Sequence, residues 1–398
     1  MLARRRRAPG RGRSFDRRAR RRPPARAASP APVAPAVDAT NRLAVTLLPR
    51  LGGGGDTVFS PYSIATALAM IDQGAAASTA TQIGRVLGSG NATALAASER
   101  RLSSALAASV RDGSPGTSAG ELARLQIANG LWVGSQLSVE QPFGAALGQD
   151  FGATPQTLDF GGSPDAARKA INAWVAQHTA QRIKGLMPPG TITAQTRLVL
   201  ANAIYLNAHW SNPFVKGSTA PGPFEVAGGA MVTVRFMTEP VTQFAYGRGA
   251  GYRAIDLPYL DSTLSMLVVI PATGTLPGFE GGLNLGALSR ISRGLATARV
   301  ALRMPRFKLS LHAELNDVLS ALGMPLAFSD AADFSGITHS VALKIQAVEQ
   351  GATLTADEQG TVAAAATGIS TEPTALPSGP IVRLTLDHPF LFFIRDDV

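Results

Sequence analysis

Residues 198–210 read Leu-Val-Leu-Ala-Asn-Ala-Ile-Tyr-Leu-Asn-Ala-His-Trp. Up to residue 206 both alternating sets of positions are apolar, interrupted only by Asn202. Side chains of a strand point alternately to its two faces, so a strand apolar on both is covered on both and belongs in the middle of a sheet. Upstream of this strand the pattern is mostly helical. Leu43, Val45, Leu47, Leu48 and Leu51 recur at helical spacing over 39–51, and the run stops at Gly52–Gly55. Ser60-Pro61 offers an N-cap followed by proline at the first helical position, which predicts a helix over 62–71. Residues 76–87, 97–110 and 165–183 also read as helices, with a Gly/Ser/Pro loop over 112–120 and a strand over 125–133. Pro188-Pro189-Gly190 breaks the last helix. Downstream, β-type runs follow at 232–236, 243–246, 265–270, 300–304 and 307–311, with one helix over 313–322. Helices in the first half and strands in the second argue α+β rather than repeated βαβ units.

The chain has 398 residues, 45% of them hydrophobic and only 16% charged, so the core is large and mostly aliphatic. The formal net charge is +10, yet residues 1–30 hold twelve arginines against the single Asp16, so the remainder is close to neutral. The high net charge therefore gives no sign that the folded body binds nucleic acid. Residues 27–36 are Ala/Pro/Ser linker chemistry, and the basic stretch before them lacks the apolar segment of a signal peptide. Residues 1–37 are expected to be a basic, unfolded tail and linker, because they bury too little apolar surface to offset the entropy of ordering. The folded domain is expected over 38–398. Cysteine is absent, which excludes disulfides, thiol catalysis and cysteine-ligated zinc. No apolar run reaches the length of a membrane span.

Several enzyme motifs are missing. There is no G-x-S-x-G elbow, no phosphate-binding glycine loop and no dinucleotide fingerprint. The five histidines (178, 209, 312, 339 and 388) have no paired spacing. Asp357-Glu358 and Asp396-Asp397 are adjacent pairs, and neighbouring side chains on an extended segment point apart. No catalytic residue, metal or cofactor is expected.

Segments spanning nearly all of the body resemble the serpins (serine protease inhibitors), in particular those of bacterial type. Thr57-Val-Phe-Ser-Pro-Tyr-Ser-Ile-Ala-Thr-Ala-Leu-Ala-Met70 resembles the family's first conserved strand and helix. Ile171-Asn-Ala-Trp-Val175, with Thr179 and Ile183, resembles the helix preceding the main sheet. Residues 198–210 with Pro213-Phe214 are similar to its central strand. Leu257-Pro-Tyr259, Met304-Pro-Arg-Phe307, Leu322-Gly-Met324 and Ala332-Asp-Phe-Ser-Gly-Ile337 follow in the expected order. His388-Pro-Phe-Leu-Phe-Phe-Ile-Arg395 resembles the C-terminal signature strand. The resemblance implies helices packed on a large central sheet, further sheets, and an exposed reactive-centre loop over 358–380. It also implies one more apolar strand after this signature, so the stop at Val398 is expected to leave a sheet edge open.

Within the loop, Glu358-Gln-Gly-Thr-Val-Ala-Ala-Ala-Ala-Thr367 is the hinge that the resemblance points to. Four alanines alone suggest a helix, but Gly360 and Gly368 flank them and Pro373, Pro377 and Pro380 follow. In serpins this segment inserts as a new strand into the main sheet. Such a strand needs small side chains on its inward face. One face carries Thr361, Ala363, Ala365 and Thr367; the other carries Val362, Ala364 and Ala366. Val362 replaces the acidic residue usual there, on the face expected to meet solvent. The family's spacing puts the scissile bond within Thr374, Ala375 and Leu376. No lysine or arginine lies between Lys344 and Arg383. The implied partner is a serine protease with a small or apolar specificity pocket, of elastase, subtilisin or chymotrypsin type. Ser60, Ser63, Asn202 and Gln350 resemble the polar cluster where the sheet opens, and Trp210 resembles the residue at the loop's entry point. A monomer is expected. The family implies an extracellular or cell-envelope location, and a cytoplasmic one stays open. The alternative is a non-inhibitory serpin with a carrier, chaperone or storage role.

Overall fold

The computed structural model describes residues 33–52, 55–110, 124–361 and 379–396. Helices among them are α1 (Ala34–Leu51), α2 (Pro61–Asp72), α3 (Ala77–Leu87), α4 (Ala92–Ser109), α5 (Gln141–Phe151), α6 (Pro164–His178), α7 (Leu276–Gly282), α8 (Leu285–Arg293) and α9 (Asn316–Ala321), with a 3-10 turn over Pro325–Phe328. The strands are β1 (Arg124–Gly134), β2 (Gln156–Leu158), β3 (Leu198–His209), β4 (Ala220–Glu225), β5 (Met231–Gly249), β6 (Tyr252–Pro258), β7 (Leu264–Pro271), β8 (Ala296–Pro305), β9 (Phe307–Glu314), β10 (Ala347–Ala356), β11 (Gly360–Thr361), β12 (Ile381–Thr385) and β13 (Leu391–Asp396).

The stretch 198–210 does form a central strand. One sheet runs β2-β1-β3-β10-β9, with β11 added against β3. β3 is antiparallel to β1 and parallel to β10. Its two faces enter different cores, which is why the sequence is apolar throughout. Leu198 and Leu200 pack with α1, α2 and α3 residues such as Leu43, Leu68 and Ile83. Val199, Ala201 and Ala203 pack with Ile171 and Val175 of α6. Further along, Leu206, Ala208 and Trp210 enter a third core with Met266 and Val300 of the second sheet. That sheet runs β12-β8-β5-β6-β7-β13, with β4 against β5 and β13 at one edge. Gly351 of β10 lets the segment after α6 lie on the first sheet, since a Cβ there would sit 2.9 Å from both Ile183 and Leu186 side chains.

Several boundaries differ from the sequence reading, each for a physical reason. Helix α1 begins at Ala34, inside the stretch read as linker. Its first turn is capped from α4: the Ala36 N–H donates to Ser98 Oγ at 3.0 Å, and that hydroxyl donates to the Val33 carbonyl. Helix α6 ends at His178 rather than 183, because Thr179 Oγ1 takes the Val175 carbonyl and Ala180 and Gln181 adopt positive φ. Helix α4 starts at Ala92 under an Asn91 cap. The runs 232–236 and 243–246 are one strand, β5, with an irregularity between Glu239 and Thr242. Ala313 and Glu314 belong to β9, which shortens the helix expected over 313–322 to α9. The loop expected over 112–120 lies outside the described residues, apart from the adjoining helix and strand.

At the far side of β10 the register sets Glu349 opposite Glu314. Glu349 is buried, with His312 Nε2 3.0 Å from its Oε2. Burial, and secondarily the charge of Glu314, pushes its carboxyl up to about 7. Because the folded value is raised, the stabilising contribution is full below the ordinary carboxylate range and is lost as pH rises through about 7. Replacing Glu349→Gln should therefore raise stability at about pH 8, by on the order of 2 kcal/mol, and change little at about pH 4. Denaturant melts at the two pH values check this. Equal effects at both would contradict it.

Candidate functional site

The segment expected to be the hinge starts where β10 ends. After Ala356 the chain reverses in a turn closed by Asp357, whose Oδ1 accepts the Gln359 N–H at 2.9 Å and the Gly360 N–H at 3.3 Å. The reversal lays β11 antiparallel on the end of β3, with Gly360 opposite His209 and Thr361 opposite Ala208. Gly360 has φ +153°, and a Cβ there would stand 2.1 Å from the Ala208 carbonyl oxygen. No other residue fits this approach without moving β3.

Trp210 holds the turn from below. Its backbone N–H donates to the Gln359 carbonyl at 2.8 Å, and its indole N–H to the Asp357 carbonyl at 3.0 Å. The ring stacks on Tyr259, centroids 4.7 Å apart. The Tyr259 hydroxyl lies 2.7 Å from Thr361 Oγ1, and both side chains are buried. Burial raises the Tyr259 phenol far above its ordinary value, so it stays a neutral partner. Glu358 is tied separately. Its carboxylate meets Arg306 Nε at 3.3 Å and accepts from Thr219 Oγ1, while its carbonyl accepts the Phe214 N–H.

A second cluster lies further down the sheet. Gln350 of β10 and Asn202 of β3 are register partners, and Asn202 is in turn opposite Asn129 of β1. The Gln350 amide donates to Asn202 Oδ1 at 3.1 Å and to the Ser60 carbonyl at 3.0 Å. Asn202 Nδ2 donates to Asn129 Oδ1. Ser60 caps α2, accepting from the Ser63 N–H, and the two hydroxyls lie 2.9 Å apart. Ser60, Ser63, Asn202 and Gln350 are all buried. The row crosses three strands at one level and ends on a helix N-terminus.

The residues singled out from sequence thus fall into two places. Ser60, Ser63, Asn202 and Gln350 come together, whereas Trp210 sits with Glu358, Gly360 and Thr361. Val362, Ala363, Ala364, Ala365, Ala366 and Thr367, like Thr374, Ala375 and Leu376, lie outside the described residues. Sequence reasoning missed Asn129, whose signal was an amide in the apolar run of β1. It also gave no role to Tyr259, although Leu257-Pro-Tyr259 was recognised as a motif. Arg306 and Thr219 carried no signal of their own; only the fold brings them to Glu358.

Comparison with known proteins identifies the family. The family model described as Serpin (serine protease inhibitor) matches residues 38–398. The leukocyte elastase inhibitor of Bos taurus is 33% identical over 370 residues, which cover 90% of this chain and 94% of that one. Serine protease inhibitor 42Dd of Drosophila melanogaster is 32% identical over 363 residues, covering 90% and 92%. Among solved structures, human thyroxine-binding globulin superposes with a TM-score of 0.79 at 25% identity, covering 92% of this chain and 95% of its own. The helices on a central mixed sheet are the serpin fold, and the chain belongs to the serpin family.

Proposed function

We propose that this serpin is a suicide inhibitor of serine endopeptidases. The observation that carries the reading is the register of β11 on β3. Gly360 opposite His209 and Thr361 opposite Ala208 start an antiparallel pairing that the rest of the hinge could continue. Extended without a slip, it sets Ala363 opposite Leu206, Ala365 opposite Ile204 and Thr367 opposite Asn202. Directly paired residues share a face of the sheet. Leu206 and Ala208 face a core, so Thr361, Ala363, Ala365 and Thr367 would face it too, and all four are small. Val362 would fall opposite Asn207, on the other face. β10 occupies the neighbouring place from Val199 to Tyr205, so continued pairing requires β10 to part from β3.

A target protease takes the loop as substrate, and its serine attacks the scissile carbonyl within Thr374, Ala375 and Leu376. Insertion then competes with hydrolysis of the acyl-enzyme. About fourteen residues at ~3.3 Å each carry the tethered protease ~45 Å along the sheet. The serpin supplies no catalytic group of its own. The absence of basic residues from the loop favours a protease with a small or apolar specificity pocket. A carrier or storage role is the second reading, supported by the likeness to thyroxine-binding globulin.

Three outcomes follow. Mixed with elastase, subtilisin, chymotrypsin and trypsin, the protein should give a complex that survives SDS with at least one of the first three. Clean cleavage near Thr374 with no complex would leave the carrier reading. Thr361→Arg would put a charge where 1% of the side chain is now exposed; it should turn inhibitor into substrate, seen as loss of the complex with cleavage retained. Glu358→Ala removes the contacts to Arg306 and Thr219. Because the Arg306 side chain is 44% exposed, the loss is about 1 kcal/mol. It should appear as roughly fivefold faster amide exchange at Gly360 and Thr361; unchanged exchange would assign the whole anchor to Trp210 and Tyr259.

A further inference from the structure

Away from the hinge, α2, α4, α5 and α6 converge on strands β1 and β2 around a cavity of about 550 Å³. Its lining includes Tyr62, Thr66, Glu99, Asn129, Asp150 and Trp174. Volumes of this order hold small organic ligands. Glu99, on α4, is 1% exposed. Its Oε2 accepts from Thr66 Oγ1 at 3.0 Å. Its Oε1 is buried and has no hydrogen-bond partner among the described residues. Buried carboxylates are ordinarily paired, since an uncompensated one is costly. Arg100, the next residue, does not serve: its Nη1 is 3.2 Å from Asp150 Oδ1.

We infer that this cavity binds a small organic cation, an ammonium group attached to a flat apolar body. The free oxygen of Glu99 supplies the acceptor, while Asp150 stays paired with Arg100. Trp174, held edge-on against Trp132 with centroids 5.1 Å apart, supplies an aromatic wall of the kind that attracts organic cations. The electrostatics of the lining agree. Burial pushes the Glu99 carboxyl up to about 8. Burial, reinforced by the charge of Glu99, pushes the Tyr62 phenol up to about 12. A bound ammonium would stabilise the charged form of Glu99, whose Oε1 has no partner among the described residues. The cavity shares no residue with the hinge and touches the seam row through Asn129.

Calorimetric titration of the full chain with 2-phenylethylammonium tests it. One site per chain is expected. The neutral probe 2-phenylethanol and the variant Glu99→Gln should each bind roughly tenfold more weakly or not at all. Ser103 lines the cavity from an exposed position on α4, so Ser103→Trp should block entry without disturbing the core. It decides the matter if Glu99→Gln does not fold. No binding of the ammonium to the parent chain at millimolar concentration would overturn the inference. So would equal binding of the alcohol, or undiminished binding by both variants.

Discussion

The hydrogen bond from Gln350 to Asn202 spans the seam between β10 and β3, and the architecture of the first sheet turns on it. The two strands are parallel neighbours, a pairing slightly weaker per residue than an antiparallel one. Both side chains are buried among apolar residues, where an amide left without a partner costs about 1–3 kcal/mol. Gln350 also reaches the Ser60 carbonyl, so the seam is fastened to α2. A one-residue slip of β10 would swing Gln350 to the opposite face and strand three polar groups at once. The row therefore fixes register as much as it adds stability. It is also local, a few directed bonds at one level of the seam, whereas the apolar cores run across it: Leu198 and Leu200 share one with Val348, and Leu206 and Ala208 share another with Leu354 and Ala356.

The hinge meets the same sheet at its other end, and the two places are linked by register. Counting down β3 from Ala208, where Thr361 sits, reaches Asn202 after six residues. A segment continuing the pairing of β11 would arrive at the amide row with Thr367. In the proposed mechanism the Gln350–Asn202 bond therefore has to break before the hinge is fully inserted, and a small hydroxyl side chain would face the vacated amide. Trp210 and Tyr259 set the starting point. The Trp210 indole N–H binds the Asp357 carbonyl and its backbone N–H the Gln359 carbonyl, while the phenol binds Thr361, so in the proposed mechanism the loop's first strand pair would be aligned beforehand. Such alignment favours a fast first step in a race against hydrolysis.

Much of this was legible in the sequence, and the limits have identifiable causes. β3 could be read because both its faces are buried, which leaves a continuous apolar run. Of the hinge expected from side-chain size and the family pattern, Glu358, Gly360 and Thr361 stand together at the turn, and the rest lies outside the described residues. Helices α5 and α7 could not. The first contains Gly144 and Gly148, the second Gly278, Gly281 and Gly282, and glycine weakens the helical signal. The extra turn of α1 depends on Ser98, sixty-two residues away. The short α9 reflects tertiary competition by sheet pairing, and the early end of α6 a local one, the Thr179 hydroxyl on the Val175 carbonyl. The hinge anchors Arg306, Thr219 and Tyr259 are ordinary residues until the fold brings them to Glu358 and Thr361. Periodicity reports which face is buried; it does not report which distant side chain completes a cap or an ion pair.

The buried carboxyls bear on why such a fold could drive a mechanical step. Asp72, Glu99, Glu239 and Glu349 are all buried, and burial is the first cause that raises each of them. In a chain whose folded body is nearly neutral, these groups are not balanced by nearby arginines. Each is a term that opposes the native packing near neutral pH. Glu349 lies next to Gln350 on β10, the strand that would part from β3 in the proposed mechanism. The native arrangement thus combines unfavourable buried charge with a narrow set of directed hydrogen bonds at the seam. Unfavourable terms lower the depth of the well, while the seam bonds must be broken before a new strand can enter and so raise the barrier around it. A shallow well behind a high barrier is what the proposed loop insertion would require, and the two features that bear on it lie on adjacent residues of one strand, Glu349 and Gln350.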